Sequence, residues 1–219
     1  MAQVETRRGL AAVHLSVPER APALVLLGHG AGGDSSAPAL AAVATALLVA
    51  GVAVASFDQP DRVAGRRMPA PAPHLDAAAM DVVHWLRSRP GLASVPLVVG
   101  GKSSGARVAC RTAHVGGAVG VVALGFPLHP PTSPGRSRAA ELHLASAPVL
   151  VCQGSRDIFG SPAEVADAGL GLAGLTVHAV AGGDHSFRAR QVDGRTTAQC
   201  LAEVADVVVQ WVGAQTGTT

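Results

Sequence analysis

The chain has 219 residues, 48% of them apolar and 15% charged, and with 4 Phe, 2 Trp and 0 Tyr its interior must be built from Ala, Val and Leu. That balance excludes a disordered chain, a site that uses a tyrosine hydroxyl, and an aromatic platform for stacking bases or sugars. A net charge of +2, with Lys and Arg scattered apart from short pairs such as Arg7-Arg8 and Arg66-Arg67, gives no basic stripe, so no nucleic-acid partner is expected.

Met1 to Leu10 carries charges without an apolar segment behind them, so no signal peptide is expected. From Ala11 to Val17 the pattern alternates, with Val13, Leu15 and Val17 on one face and His14 and Ser16 on the other. This predicts a half-exposed antiparallel strand at a sheet edge, paired with one near Val4. Ala23–Leu27 is the first continuous apolar run. Ala37 to Phe57 then runs without a charge, long enough on length alone to span a bilayer. Pro38 near its start and Gly51 within it divide it instead into a helix ending at Gly51 and a buried strand Val52–Phe57. No membrane span is expected.

Leu75, Ala79, Val82 and Leu86 recur at helical spacing until Pro90 stops them. Four more apolar runs follow: Pro96–Gly100, Val119–Phe126, Pro148–Gln153 and Leu175–Val180. Between the second and third of these, Leu128 to Ala147 is the longest insertion. With Pro130, Pro131 and Pro134 it has room for a flap or a short helix, and none for a lid domain. Leu201, Val204, Val208 and Trp211 mark a helix near the C-terminus, with residues 214–219 expected as a flexible tail. Strands apolar at every position are buried on both faces, which is the mark of a parallel sheet covered by helices. No repeat or low-complexity linker divides the chain, so residues 1–219 are read as one domain. The prediction is an α/β, doubly wound, mostly parallel eight-stranded sheet with about six helices and no cap domain.

In such a sheet, sites sit at the carboxyl ends of the strands. Four strand ends here carry glycines beside polar groups: Gly28-His29-Gly30-Ala31-Gly32-Gly33-Asp34, Gly101-Lys102-Ser103-Ser104-Gly105, Gly154-Ser155-Arg156-Asp157, and Gly182-Gly183-Asp184-His185-Ser186. The second fits G-x-S-x-G between a strand and a helix, where small neighbours let the helix approach the strand and leave the Ser103 hydroxyl clear of the backbone. A serine hydroxyl needs a base within hydrogen-bond reach, and that base needs an acid to fix its tautomer. Ser103, Asp157 and His185 follow in the order nucleophile, acid, base, each at a different strand end.

Competing assignments exist for each part. His29, His129, His143 and His178 are alternative bases. His29 fits better as a brace of the glycine loop and His178, inside a strand, as structural, whereas His129 follows a strand end as a candidate for the pocket wall. Asp184 adjoins His185, but sequence neighbours point apart, and Asp58 reads as a turn or rim residue. Lys102 and Arg156 flank nucleophile and acid, either as ion pairs or as a source of preference for anionic substrates. Gly101-Lys102-Ser103 resembles the end of a P-loop, but Pro96 stands where that motif needs glycine. Gly28, Gly30 and Gly33 with Asp58 resemble a dinucleotide fingerprint, a reading that leaves Ser103, Asp157 and His185 unexplained.

The H-G-A-G-G loop, the G-G-K-S-S-G elbow, G-F-P-L (Gly125 to Leu128), Q-G-S-R-D-x-F-G (Gln153 to Gly160) and G-D-H-S-F (Gly183 to Phe187) occur in this order over nearly the whole chain. Together they resemble the α/β-hydrolase superfamily, and within it the small capless branch of dienelactone-hydrolase-like enzymes and of hydrolase-like proteins related to a subunit of the NSL histone-acetyltransferase complex. Dienelactone hydrolases proper have cysteine at the elbow, where this chain has Ser103. The resemblance implies a serine esterase with Ser103 as nucleophile, His185 as base and Asp157 as its acid. It also implies an oxyanion hole made by the backbone N–H groups of Ser104 and Ala31. His29, Gly30, Lys102, His129 and Arg156 are the candidates for lining the pocket. A non-enzymatic scaffold with the same fold is the alternative.

Cys110, Cys152 and Cys200 are widely spaced and form no C-x-x-C pair, so neither a metal site nor a redox motif is expected. They read as small buried hydrophobes in a reducing cytoplasm. The expected partner is a small-molecule acyl substrate, with no cofactor, and the chain is expected to act as a monomer or homodimer.

Overall fold

In the computed structural model, which describes residues 1–66 and 68–217, the chain alternates strand and helix. The strands are β1 Ala2–Thr6, β2 Gly9–Ser16, β3 Leu24–Gly28, β4 Ala53–Asp58, β5 Leu97–Lys102, β6 Gly120–Leu124, β7 Val149–Gly154 and β8 Leu175–Val180. They form an eight-stranded sheet of order β1-β2-β4-β3-β5-β6-β7-β8. β2 is antiparallel to both neighbours, with Val4 opposite Ala11, and the remaining pairs are parallel.

The continuous apolar runs are the central strands. Every residue of β3, β6 and β7 is buried. Their side chains divide by the two-residue period of a strand. Leu24, Leu26, Val99, Val121, Ala123, Val149 and Val151 join a core on one face. Val25, Leu27, Val98, Val122, Leu124, Leu150 and Cys152 join the core on the other. The first face is covered by α3 Ala72–Arg87 and α4 Ser104–Thr112, through residues such as Leu75, Val82, Leu86 and Ala109. The second is covered by α1 Pro38–Val49 and α7 Thr197–Thr216, through Leu40, Val43, Leu47, Val204, Val208 and Val212.

The uncharged stretch from Ala37 resolves as expected into α1, a turn with Gly51 at φ +80°, and β4. Among the described residues no helix is long and apolar enough to cross a membrane. Short helices α2 Pro60–Val63, α5 Ala139–Leu142 and α6 Pro162–Ala168 bring the α-helices among those residues to seven rather than six. α5 is the short helix for which the Leu128 to Ala147 insertion left room.

Two expectations change. β8, read as buried on both faces, is the sheet edge, and Thr176 and Ala179 are exposed there. Its His178 Nε2 lies 2.7 Å from Glu203 Oε1, a part-buried hydrogen bond in keeping with a structural role. At the C-terminus α7 continues through residues 214–216 to a left-handed Gly217, while Thr218 and Thr219, with Arg67, lie outside the described residues. The cysteines are free and buried, and burial pushes the thiols of Cys110 and Cys152 up to about 12.

Candidate active site

The turn from β5 into α4 positions the central residue. Ser103 has φ 52° and ψ −110°, one of two non-glycine residues with positive φ among those described. A non-glycine residue pays conformational energy to sit there. The strain holds because the surroundings leave no slack: Ser103 N–H donates to Leu124 O at 2.9 Å, and glycines on both sides allow close approach. A Cβ added at Gly105 would lie 2.3 Å from Gly28 O and 2.6 Å from Gly28 C, and one at Gly101 would lie 2.4 Å from Gly28 O. The atoms met are all backbone, so no side chain can swing aside. Gly105→Ala should therefore destabilise the fold by about 3 kcal/mol, seen as a thermal midpoint lowered by roughly 10 °C.

Two further strand ends bring their groups to this turn. His185 Nε2 lies 2.9 Å from Ser103 Oγ, and His185 Nδ1 lies 2.7 Å from Asp157 Oδ2. The Asp157 side chain is fully buried, and its other oxygen accepts the Phe159 N–H at 2.9 Å. The Phe159 ring packs on His185 with centroids 4.3 Å apart. Beneath the imidazole is Gly125, at φ +61°, where a Cβ would lie 3.1 Å from His185 O and 3.4 Å from its Nδ1. A larger residue there would both strain the turn and displace the ring.

One buried residue at this site was not foreseen. Gln153, with no exposed surface, accepts the Phe126 N–H on its Oε1 at 2.8 Å. Its Nε2 lies 2.9 Å from Asp157 Oδ2 and 2.8 Å from Gly160 O. It fixes the carboxylate that His185 meets. Gln153→Leu would leave the Phe126 N–H and a lone pair of Asp157 unpaired in the core. Denaturant unfolding should report a loss of about 2–4 kcal/mol.

The glycine loop after β3 lies over the turn, since a Cβ at Gly30 would sit 3.4 Å from Ser103 Cβ. Ala31 and Ser104 line the same cavity as Ser103. His29 does not line that cavity. Its Nδ1 meets Gly30 O at 2.8 Å and its Nε2 accepts the Gln59 N–H at 2.9 Å, which makes it a brace between the loop and the end of β4. Asp58, the acid a dinucleotide reading requires, accepts the Ser35 N–H at 2.6 Å.

The cavity above Ser103 measures about 440 Å³ and is walled by Gly30, Ala31, Lys102, Ser104, Pro127 and Phe159 together with arginines from α4 and the insertion. Lys102 and Gly30 are thus among its lining residues. Arg156 does not: its guanidinium donates to Gly182 O at 2.8 Å and Arg188 O at 2.9 Å and pairs with Asp193 at 3.3 Å, tying the Asp157 turn to the His185 loop. His129 is likewise outside the wall. Its N–H donates to Phe159 O and its ring meets Pro130 O at 3.1 Å, with Nε2 3.7 Å from Glu164. Asp184 accepts the N–H groups of Ser186 and Arg188, holding its own turn rather than the imidazole. The arginines were missed. Arg107 and Arg111 follow Ser103 by one and two helical turns along α4, a spacing that the sequence does display.

Comparison with known proteins agrees with this architecture. Residues 21–213 match the family described as alpha/beta hydrolase domain. No curated protein matches. A dienelactone hydrolase from Anabaena variabilis superposes with TM-score 0.77 at 21% identity, covering 96% of this chain and 94% of that one. A serine hydrolase without a lid from Xanthomonas campestris gives TM-score 0.74 at 20% identity over 96% and 93%. Est1E from Butyrivibrio proteoclasticus, solved with ferulic acid bound, gives 0.77 at 12% identity over 97% and 100%. At these identities the likeness is one of fold, and the family match spans most of the chain: the protein belongs to the alpha/beta hydrolase family, in its capless form.

Proposed function

We propose that the protein is a serine hydrolase that cleaves a carboxylic ester or a related acyl bond through an acyl-enzyme on Ser103. The observation that carries this reading is the unbroken hydrogen-bonded line from Ser103 Oγ through His185 to the buried Asp157, built on a residue held at positive φ. A scaffold has no use for that strain or for a buried carboxylate aimed at an imidazole.

In this mechanism His185 Nε2 takes the Ser103 proton as Oγ attacks the carbonyl carbon. Asp157 accepts the Nδ1–H, holds the tautomer and stabilises the imidazolium without itself becoming protonated. The N–H groups of Ala31 and Ser104 receive the oxyanion. As the tetrahedral intermediate collapses, the carbonyl re-forms, the leaving-group bond breaks, and His185 returns the proton to the departing oxygen. Water then repeats the sequence on the acyl-enzyme, with His185 again as base, releasing the acid and restoring the Ser103 hydroxyl. The free, buried cysteines suit a protein that works in a reducing cytoplasm.

A fluorophosphonate probe tests this reading. The wild-type protein should be labelled, and Ser103→Ala and His185→Ala should not. Equal labelling of wild type and Ser103→Ala, or none of the wild type, would sink it.

A further inference from the structure

The wall of the catalytic cavity is one-sided in charge. It carries Lys102, Arg107, Arg111 and Arg138, and no Asp or Glu among its described lining residues. Two of these cations are neutralised from behind. Arg107 donates to Glu141 at 2.5–2.8 Å, and Arg111 donates to Asp76 at 2.6–3.1 Å and also pairs with Glu141. The other two are not. The Lys102 ammonium has no ion pair or hydrogen bond among the described residues, and the Arg138 side chain makes one hydrogen bond, from Nη1 to Pro127 O at 2.9 Å. Both are half-buried.

A partly desolvated cation without a counter-ion is costly unless something else brings the opposite charge. Burial lowers the pKa of the Lys102 ammonium against the attraction of Asp157 and Asp184, and burial with repulsion from Arg107 lowers that of Arg138 against the attraction of Glu141. Glu141 and Asp76 are held by Arg107 and Arg111, Asp157 by His185, and Asp184, which also attracts Lys102, accepts the N–H groups of its own turn. None of these carboxylates forms an ion pair with Lys102 or Arg138 among the described residues, so a direct counter-charge has to arrive with a ligand. Arg138 keeps most of its planar set of donors free for it, a geometry that suits an oxyanion.

We propose that this cavity takes an ester whose acyl or leaving group bears an anion, a carboxylate or a phosphate, seated between Arg138 and Lys102 while its carbonyl faces Ser103. The inference rests on the serine hydrolase reading above and adds the substrate class. It also gives the proline-rich insertion a task, since that segment delivers Arg138 and, on α5, the Glu141 that holds the two α4 arginines in place.

The test uses the full chain and three 4-nitrophenyl esters of equal length. One ends in a carboxylate (the glutarate monoester), one in the corresponding neutral methyl ester, and one in a phosphate. The expected result is that kcat/KM for at least one anionic ester exceeds that for the neutral one by about tenfold to a hundredfold, the range of one charge-assisted contact. Which anionic ester is preferred identifies the anion. The preference should shrink as ionic strength rises from about 0.05 to 0.5 M. Arg138→Gln should remove most of it and Arg138→Lys should retain part, while Arg20→Gln, exposed ahead of β3 and away from this wall, should leave it intact. Equal rates on all three esters, or a preference unchanged in Arg138→Gln, would overturn the proposal. Fluorophosphonate labelling separates the two failures: labelling with no anion preference ends this inference alone, and absent labelling ends the hydrolase reading beneath it.

Discussion

Ser103→Ala should lower kcat on any ester that the protein cleaves by roughly a million-fold, the scale observed when a serine hydrolase loses its nucleophile. The fold should be left intact. The substitution removes one hydroxyl from the cavity wall, and the backbone at φ 52° is as demanding for alanine as for serine. The thermal midpoint should therefore stay within about 2–3 °C of wild type, since a change of 1 kcal/mol moves it by that much in a chain of this size. A loss of activity with an unchanged midpoint assigns the effect to chemistry. A variant that keeps a tenth of wild-type turnover would place the nucleophile elsewhere.

Asp157→Asn should cost about ten-thousand-fold in turnover, and the reason can be read from its hydrogen bonds. Oδ2 faces two donors, His185 Nδ1 at 2.7 Å and Gln153 Nε2 at 2.9 Å, and Oδ1 faces a third, the Phe159 N–H at 2.9 Å. An asparagine offers one carbonyl oxygen. If its amide nitrogen takes the Oδ2 place, it confronts His185 and Gln153 and drives the imidazole toward the wrong tautomer. If the nitrogen takes the Oδ1 place, it confronts the Phe159 N–H in a fully buried position. Either arrangement leaves a buried donor unpaired at about 1–3 kcal/mol, so stability falls along with activity. Steady-state kinetics and denaturant unfolding on one preparation check both. Turnover within tenfold of wild type would exclude Asp157 as the acid.

The sheet was legible in the sequence wherever burial forces a pattern. β3 and β6 stand out because nothing polar survives in these strands covered on both faces, β7 because Gln153 is its one strongly polar residue, and the alternation from Ala11 reveals β2 because one of its faces is partly wet. β8 misleads because its apolar residues sit at the sheet edge, where hydrophobic content no longer means double burial. Ser103, Asp157 and His185 were legible because each follows a strand end, the place the fold reserves for chemistry.

The rest of the site follows from side-chain direction, which sequence does not carry. Arg156 and Asp157 are neighbours, yet one points to the back of the His185 loop and the other to its imidazole. Gln153 is hidden inside a strand and reads as core until its partners are known. Arg138 belongs to a segment with no period to interpret, and its place in the wall of the cavity that holds Ser103 is set by the path of the insertion.

The central claim is covalent, and mass spectrometry tests it most directly. The protein is mixed with an excess of an activated ester it turns over, quenched in acid during the initial burst, and its intact mass and peptides are measured. The account predicts a mass increase of one acyl group, mapped to Ser103 and absent in Ser103→Ala. Turnover without an adduct on Ser103, or an adduct on another residue, would contradict it.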